Sequence, residues 1–532
     1  MEKKIIFTLL ILLSAGQIGF TQEESIEKGL QAITTDAIKA QLGFLSSDWM
    51  EGREAGKKGE LLSADYIASM LQLYGVKPAG DYLRGRDFEN SLTGTRSYFQ
   101  NFVILKSLEG DKNILRLKTT KGPGQITYEF IHDLDFTINT SFHPVETEAP
   151  VIFAGYGFLN KKTNYNDFGT MDLNGKFVLK MSGYPAWADR LLTMQEINES
   201  IMDSERYMIE AGALGVIEFN PSDRVIVQVQ DNVLPDPSPN ERIPQPDIYN
   251  ARYSLPGSSF PGKFLRVNIS ARAAEEVLYG TGINIPEYIK KADPDHPFSF
   301  PEIIPKSLYL KTDVKVSRVM VRNIIGVIEG KNNNEIIVAG AHYDHVGKGN
   351  GYIWNGADDN GSGTVGIMTL AKAFMATGLK PEKTIVIALW TAEEVGLLGS
   401  RYFVQNPSFP LKNIKLNLNF DMISRYISET EKKGVVMTYN KSHPFFREIT
   451  EKNLKEYNID LDVDYQPSDD PPGGTDHRSF VEAGIPVMRF KPGHREEYHT
   501  PFDEAGTVDW DIMEKIIRIS FTNLWDLANN NF

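Results

Sequence analysis

Three apolar segments in the C-terminal part of the chain each lead into a histidine or an acidic residue. The segments are EIIVAGA before His342, TIVIALW shortly before Glu393, and LNLNF before Asp421. Short continuous apolar runs of this kind are typical of buried strands. A helical pattern over residues 362–376 separates the first two of them. Strands that alternate with helices predict an α/β fold with a mixed, largely parallel sheet flanked by helices.

The polar residues of interest follow these strands or begin a helix. In α/β sheets, ligands bind beyond the carboxyl ends of the strands, so the sequence predicts that these side chains meet at one edge. The candidates are His342 and Asp344 in HYDHVG, Asp359 in GADDNGSG, Glu393 and Glu394 in WTAEEVG, Asp421 in NFDMI, and His499 in EEYHTPFD. A mixed set of imidazoles and carboxylates with one acid to spare as a base is what metal-assisted peptide hydrolysis requires.

The spacing within the motifs predicts separate roles. His342 and Asp344 point to the same side of an extended chain, so Asp344 can accept a hydrogen bond from the imidazole nitrogen that faces away from a metal. Asp359 lies in a Gly-rich turn at a helix start, where a short carboxylate can bridge two ions ~3.5–4 Å apart. The side chains of the adjacent Glu393 and Glu394 diverge, so we expect one to bind metal and the other to face the reacting water.

These motifs together resemble those of the M28 family of di-zinc metallopeptidases, in its aminopeptidase branch. The resemblance implies that His342 and Asp421 hold one zinc ion, that Glu394 and His499 hold the other, and that Asp359 bridges the two. It also implies that Glu393 is the general base and that Tyr498 polarises the scissile carbonyl. GGTDHRSF (473–480) matches a further family motif, in which Asp476 and His477 lie near the site without being ligands.

The rest of the chain is predicted to form a secretion signal and the other parts of a zinc-peptidase fold. MEKK and the apolar IIFTLLILLSAG predict a signal peptide over residues 1–21, and therefore a periplasmic or extracellular protein. Residues 22–134 resemble the N-terminal part of the peptidase domain, in which Arg53 is expected to form a structural salt bridge. Short strands and turns over residues 135–300 resemble an inserted, β-rich protease-associated (PA) domain, and residues 301–532 are expected to form the catalytic domain.

Composition narrows the classes of partner. The formal charge of −14 over 532 residues argues against nucleic acid or an anionic membrane as a partner. The chain has no cysteine, so any metal must be held by nitrogen and oxygen atoms. We therefore expect peptide substrates and two zinc ions per chain.

Several other functions remain open at this point. A carboxypeptidase of similar architecture would need a basic pocket for the substrate carboxylate, and the sequence alone does not place one. A glutaminyl cyclase on a related fold would use one zinc ion and a different pair of acids. A non-catalytic relative would be expected to have lost ligands, and a PA-mediated binding module would leave the motifs unexplained. The many carboxylates favour a free substrate amine, and hence an aminopeptidase.

Overall fold

The structure, a computed structural model, describes residues 22–83, 94–121, 124–139, 142–222, 245–258, 264–293 and 306–530. The predicted signal peptide, residues 1–21, lies outside the described residues. Within the described ranges, no helix is long and apolar enough to cross a membrane.

The helices and strands of the described residues are numbered here in chain order. The helices are α1 Gln22–Ala32, α2 Thr35–Leu45, α3 Lys58–Tyr74, α4 Ala188–Leu191, α5 Met194–Glu210, α6 Ala271–Leu278, α7 Ile285–Lys291, α8 Gly363–Ala376, α9 Leu398–Gln405, α10 Phe445–Glu456, α11 His477–Glu482 and α12 Trp510–Asn529. The strands are β1 Lys77–Pro78, β2 Phe99–Glu109, β3 Ile114–Lys121, β4 Gly124–Phe130, β5 Phe136–Asn139, β6 Glu146–Phe153, β7 Leu159–Asn160, β8 Tyr165–Asn166, β9 Phe177–Met181, β10 Gly215–Phe219, β11 Ala251–Ser254, β12 Leu265–Ile269, β13 Ser307–Lys311, β14 Val314–Ile328, β15 Asn332–His342, β16 Lys348–Gly349, β17 Tyr352–Ile353, β18 Lys383–Trp390, β19 Ile414–Phe420, β20 Gly434–Asn440, β21 Asp462–Ser468 and β22 Val487–Lys491.

The chain divides into two compact units. The first has the bounds Met1–Ile104, Ser238–Tyr249 and Val319–Phe532, and the second has the bounds Leu105–Pro237 and Asn250–Arg318. Most of the range 135–300 falls in the second unit, and its identity as a PA-like insert stays a prediction.

The first unit is built on a mixed sheet in which the strands run in the order β14-β18-β15-β19-β22-β20-β21. Strands β18, β15, β19 and β22 are parallel to one another. Strand β14 runs antiparallel to β18, and β20 runs antiparallel to β22. Strand β21 runs parallel to β20. The predicted α/β fold with a mixed sheet flanked by helices is confirmed.

Strand β15 shows why the apolar runs are continuous. Ile337, Ala339 and Ala341 belong to a core cluster that includes residues of α8 and α12. The alternating residues Ile336 and Val338 belong to a second cluster that includes residues of α9 and α11. Since successive side chains of a strand point to opposite faces, helices cover both faces of this sheet, and a polar residue in the strand would be buried on either face.

The second unit contains a sheet of eight strands in the order β4-β3-β13-β6-β9-β10-β12-β5. Strands β6, β9, β10 and β12 are parallel neighbours. The stretch RYMIEAGALGVIEF (206–219) contains the end of α5 and the strand β10. Gly212 has φ +79°, a left-handed conformation that ends the helix and favours glycine.

Candidate metal centre

The parallel strands of the first unit bring the motifs to one edge of its sheet. His342 is the last residue of β15, and Asp421 follows the end of β19. Strand β18 lies on the other side of β15 and ends at Trp390, three positions before Glu393. These positions are the carboxyl ends of neighbouring parallel strands, as the sequence predicted.

Asp359 lies in the turn Ala357–Ser362, directly before α8. The turn is held by Asp503, whose carboxylate accepts hydrogen bonds from the main-chain N–H groups of Asp358 and Asp359, both at 2.9 Å. Gly356 has φ +54°, and a Cβ there would meet the main-chain oxygen of Asp359 at 2.1 Å. Both the turn and the neighbouring glycine therefore fix where the Asp359 carboxylate points.

The two carboxylate oxygens of Asp359 face two different histidines. Oδ1 lies 3.5 Å from Nε2 of His342, and Oδ2 lies 3.0 Å from Nε2 of His499. Nε2 of His342 is also 3.6 Å from Oδ1 of Asp421, and Nε2 of His499 is 3.1 Å from Oε2 of Glu394. One aspartate is thus shared between two sets of a histidine and a carboxylate.

The ligand-type atoms of these residues are close enough to hold metal ions. Among the described residues, three groups have such atoms within 4.8 Å of one another: His342 with Asp359 and Asp421, His345 with Asp359, Glu394 and His499, and His342 with Glu393 and Glu394. Because all the donors are imidazole nitrogens and carboxylate oxygens, the donor set suits zinc as well as harder divalent ions. The structure thus forms a cluster that could hold a metal ion, and the five predicted ligands all belong to it.

His345 was not predicted as a member of this cluster. Its side chain is fully buried, and Nδ1 lies 2.7 Å from Oε1 of Glu394. The signal that could have identified it is its position in HYDHVG, one residue after Asp344. Its contact with one oxygen of Glu394 leaves the other oxygen facing His499.

Glu393 is placed differently from Glu394. Its side chain is 10% exposed, lies on the cavity wall, and has Oε2 3.8 Å from Nε2 of His342. Burial raises the pKa of the Glu393 carboxyl well above its ordinary value, and the neighbouring acid Glu394 adds to this effect. Burial would also raise the pKa of Glu394, but His345 and His499 hold it well below its ordinary value. The pKa values of the two adjacent glutamates are therefore shifted in opposite directions.

For His342, His499 and Asp421, neighbouring charges shift the pKa in the direction opposite to the effect of burial. Burial disfavours the charged imidazole, yet Asp359 and Glu394 together raise the pKa of His499 to about 10. The pKa of His342 is likewise raised, against burial, by Glu393 and Asp421. The pKa of the Asp421 carboxyl is lowered, against burial, mainly by His342. Without metal ions, protons on the imidazoles balance the crowded carboxylates, and a divalent cation would replace those protons.

Asp344 lies beside the cluster, with a hydrogen bond that differs from the predicted one. Nδ1 of His342 lies 3.2 Å from the main-chain oxygen of Asp344, and 3.8 Å from its carboxylate Oδ1. The carboxylate instead accepts a hydrogen bond from the main-chain N–H of Glu393 at 3.1 Å. The side chain is fully buried, and this burial raises its pKa well above the ordinary value. Asp344 therefore connects the ends of β15 and β18.

Arg53 does not form the expected salt bridge among the described residues. Its buried guanidinium donates hydrogen bonds to the main-chain oxygens of Leu45, Tyr343, Asn355 and Gly356 at 2.6–2.8 Å. Burial lowers its pKa to about 10, which leaves it charged at neutral pH. Arg53 therefore connects the end of helix α2 to the main chain of HYDHVG and to the start of GADDNGSG.

Tyr249 was also not predicted, and no local motif points to it. Its hydroxyl lies 2.8 Å from Nδ1 of His499, the ring nitrogen that faces away from Asp359 and Glu394. His499 itself has φ +54°, so its main chain is held in a left-handed conformation that a histidine rarely adopts. Tyr249 is separated from His499 by 250 positions, which is why sequence spacing gave no indication of the contact.

The remaining predicted residues lie around a cavity of about 210 Å³. We call it the catalytic cavity; its lining residues are His342, Asp359, Glu393, Glu394, Asp421, Met422, Gly473, Gly474, Thr475, Arg489, Lys491 and Tyr498. Tyr498 is 40% exposed and stacks on the ring of His499 with 3.8 Å between centroids. Asp476 and His477 are fully buried, next to the lining residue Thr475 in the chain. Asp358, next to Asp359, turns away and accepts a hydrogen bond from the Ser424 hydroxyl at 2.7 Å.

Known proteins resemble this chain over the part that holds the site. Leucine aminopeptidase 2 from Trichophyton rubrum is 36% identical over 167 residues, which are 31% of this chain and 32% of the relative. Leupeptin-inactivating enzyme 1 from Streptomyces exfoliatus is 34% identical over 166 residues, which are 31% of this chain and 34% of the relative. The matched region thus spans about a third of the length of these curated relatives.

Fold similarity extends further than sequence similarity. The aminopeptidase from Aneurinibacillus sp. strain AM-1 matches with a TM-score of 0.55 and 18% identity, over 95% of this chain and 97% of that one. This is a likeness of fold. The sequence of residues 323–523 matches the family described as Peptidase family M28. The predicted resemblance to family M28 is therefore confirmed over residues 323–523.

Proposed function

We propose that this protein is a zinc-dependent aminopeptidase that removes the N-terminal residue from peptides. The observation that carries the proposal is the position of Asp359, whose two oxygens face His342 and His499 at 3.5 and 3.0 Å. A carboxylate shared in this way suits two metal ions, since each oxygen can serve one of them. The M28 domain at residues 323–523 and the names of the relatives support the same reading.

The residues present fit two zinc ions. His342 and Asp421 would hold one, Glu394 and His499 the other, and Asp359 would join them. His345 would position Glu394 through the 2.7 Å contact with its Oε1. When bound, zinc ions supply an acidified water and a polarised substrate carbonyl.

Glu393 is proposed as the general base. It lies on the cavity wall, and it is not one of the five residues assigned here to the two ions. A carboxylate oxygen of Glu393 would accept a proton from the attacking water and then deliver it to the departing amine. A base in this position contributes ~10²–10⁴-fold to the rate. Asp344 would hold the main chain of Glu393 in place through the 3.1 Å hydrogen bond.

Tyr498 is proposed to stabilise the substrate carbonyl. Its ring is stacked on His499 and lines the catalytic cavity. Burial and the nearby carboxylates, Asp359 first among them, raise the pKa of its hydroxyl, so the phenol keeps its proton as a donor. A neutral hydroxyl that donates to developing negative charge is a common element of acyl-transfer sites.

The location and the second unit belong to the same proposal. We infer that the chain is exported by its N-terminal segment to the periplasm or the extracellular space. A PA-like second unit would shape substrate access and would supply none of the reacting groups.

Two measurements on the zinc-loaded protein test the proposal. Elemental analysis should find two zinc ions per chain at saturation, and a good peptide substrate should lose several orders of magnitude in kcat/KM when its N-terminus is acetylated. One tightly bound ion at saturation would contradict the bridging role of Asp359. Release of residues from the carboxyl end of N-acetylated peptides would instead identify a carboxypeptidase.

A further inference from the structure

The catalytic cavity has a cationic side that the proposed mechanism does not use. Arg489 and Lys491 line it together with the metal-ligand residues. They are two positions apart in β22, and therefore point to the same side of the strand. Arg489 is paired in register with Asn419 of β19, two positions before Asp421. Both cations thus lie at the edge of the sheet where the metal cluster forms.

Arg489 is buried without a counterion. The residue is 8% exposed, and among the described residues its guanidinium forms no hydrogen bond or ion pair. Burial lowers its pKa, and the charge of Asp421 opposes this effect. A buried charge is costly unless it is paired, so an unpaired guanidinium on a cavity wall indicates an anion that binds there.

The loop opposite Arg489 leaves room for this guanidinium. Gly473 has φ +126°, and a Cβ at this position would lie 2.4 Å from Nη1 of Arg489. Gly473 lines the same cavity. Any larger residue there would displace the guanidinium from its place at the cavity wall.

Lys491 is the second cation of this pair. It is half-buried, and the contact that the structure gives its Nζ is with Sδ of Met422 at 4.0 Å. Since β19 and β22 are parallel and pair Asn419 with Arg489 and Phe420 with Phe490, Lys491 lies beside the position of Asp421 at the end of β19. The cations therefore lie on the His342–Asp421 side of the centre.

We propose that Arg489 and Lys491 bind a substrate carboxylate within one residue of the cleaved bond. This inference rests on the proposed peptidase function and narrows its substrate class. Two sources share the required chemistry: the α-carboxylate of a dipeptide, and the side chain of an acidic residue on the departing part of a peptide. A planar guanidinium binds a carboxylate through two parallel hydrogen bonds, and the lysine adds a point charge.

Matched pairs of substrates test the proposal with the zinc-loaded enzyme. Leu-Ala is compared with Leu-Ala amide for the α-carboxylate, and Leu-Glu amide with Leu-Gln amide for the side chain. The carboxylate-bearing member of at least one pair should have a kcat/KM ~10–100-fold higher, the contribution of one charge-assisted hydrogen bond, expressed mainly in KM. The pair that shows the preference identifies the source.

Variants separate recognition of a carboxylate from simple charge balance. Arg489→Gln and Lys491→Gln should each reduce the ratio of kcat/KM within the preferred pair towards one, while Lys412→Gln, an exposed lysine away from the cavity, should keep it. If the cations only balance Asp421 and its neighbours, each variant will change both members of a pair equally, and the ratio will stay. That result would overturn the proposal.

A binding measurement gives the same comparison without turnover. Zinc-loaded Glu393→Gln should bind the preferred carboxylate-bearing peptide more tightly than its amide in a calorimetric titration. Equal dissociation constants, or equal kcat/KM within both pairs for the unmodified enzyme, would contradict the role of Arg489 and Lys491. Failure of the loaded enzyme to cleave any of the four peptides would instead count against the proposed function itself.

Discussion

Glu60 of helix α3 should make the stability of this protein fall as the pH rises towards neutrality. The side chain is fully buried, and Oε1 accepts a hydrogen bond from the Thr391 hydroxyl at 2.9 Å. The hydroxyl of Tyr343 contacts the same oxygen and also lies 2.6 Å from the main-chain oxygen of Arg322. One hydroxyl hydrogen of Tyr343 cannot serve both acceptors at once, so the hydrogen bonds to Glu60 offset only part of the effect of burial on its pKa.

The expected magnitude follows from the pKa of this group. Burial raises the pKa of Glu60 from 4.5 to about 7. Between these values the folded protein keeps a proton that the unfolded chain has lost, so the free energy of unfolding falls as the pH rises. At 1.36 kcal/mol for each pH unit, the loss is about 3 kcal/mol. The contribution is complete below about pH 4.5 and gone above about pH 7.

The variant Glu60→Gln measures this effect, because glutamine has the same shape and no proton to lose. Urea unfolding of the metal-free protein at pH 4.5 and pH 8 gives the free energy of unfolding for both chains. Relative to the unmodified protein, the variant should gain about 3 kcal/mol between the two pH values. Glu448→Gln, at an exposed position of α10, is the control and should show no such gain. An equal pH dependence for Glu60→Gln and the unmodified protein would refute the reasoning.

Two further predictions concern the metal centre. Glu393→Gln should keep its zinc and lower kcat by ~10²–10⁴-fold, whereas Glu394→Gln should lose zinc on dialysis, because only Glu394 is assigned as a ligand. Measuring bound zinc and kcat for both variants separates the two roles. If Glu393→Gln lost zinc and Glu394→Gln kept it, the roles of the two glutamates would have to be exchanged. Tyr249→Phe removes the hydroxyl 2.8 Å from Nδ1 of His499 and should weaken zinc binding ~10–100-fold in competition with a chromophoric chelator. Tyr352→Phe serves as its control, and an unchanged zinc affinity for Tyr249→Phe would show that this hydroxyl does not support the ligand.

The candidate ligands could be predicted from the sequence because each motif is local. An apolar run that ends in His342 or continues to Asp421 contains both the strand and the ligand it presents, so the sequence predicts the position of each at the sheet edge. The same argument applies to Asp359, where glycines and the following helical pattern mark the turn. Parallel strands then bring these ends together by a general rule of α/β sheets.

Contacts between distant segments have no such local pattern. Asp503 supports the turn of Asp359, Tyr249 reaches His499, and Arg53 binds the loops after β15, each across 140 or more positions of the chain. The cost of leaving a buried polar group unpaired selects these partners, and that cost depends on which segments become neighbours on folding.

The sequence by itself determined the fold class and the set of candidate nitrogen and oxygen ligands, because alternation of strands and helices and the choice of donor atoms are properties of short segments. Only the tertiary structure decided which oxygen of Asp359 faces which histidine, and that the carboxylate of Asp344 holds the main chain of Glu393. It also decided that Arg489 is buried on the cavity wall with no ion pair to any described residue. Those features arise from burial and from distances between side chains, and neither exists before the chain is folded.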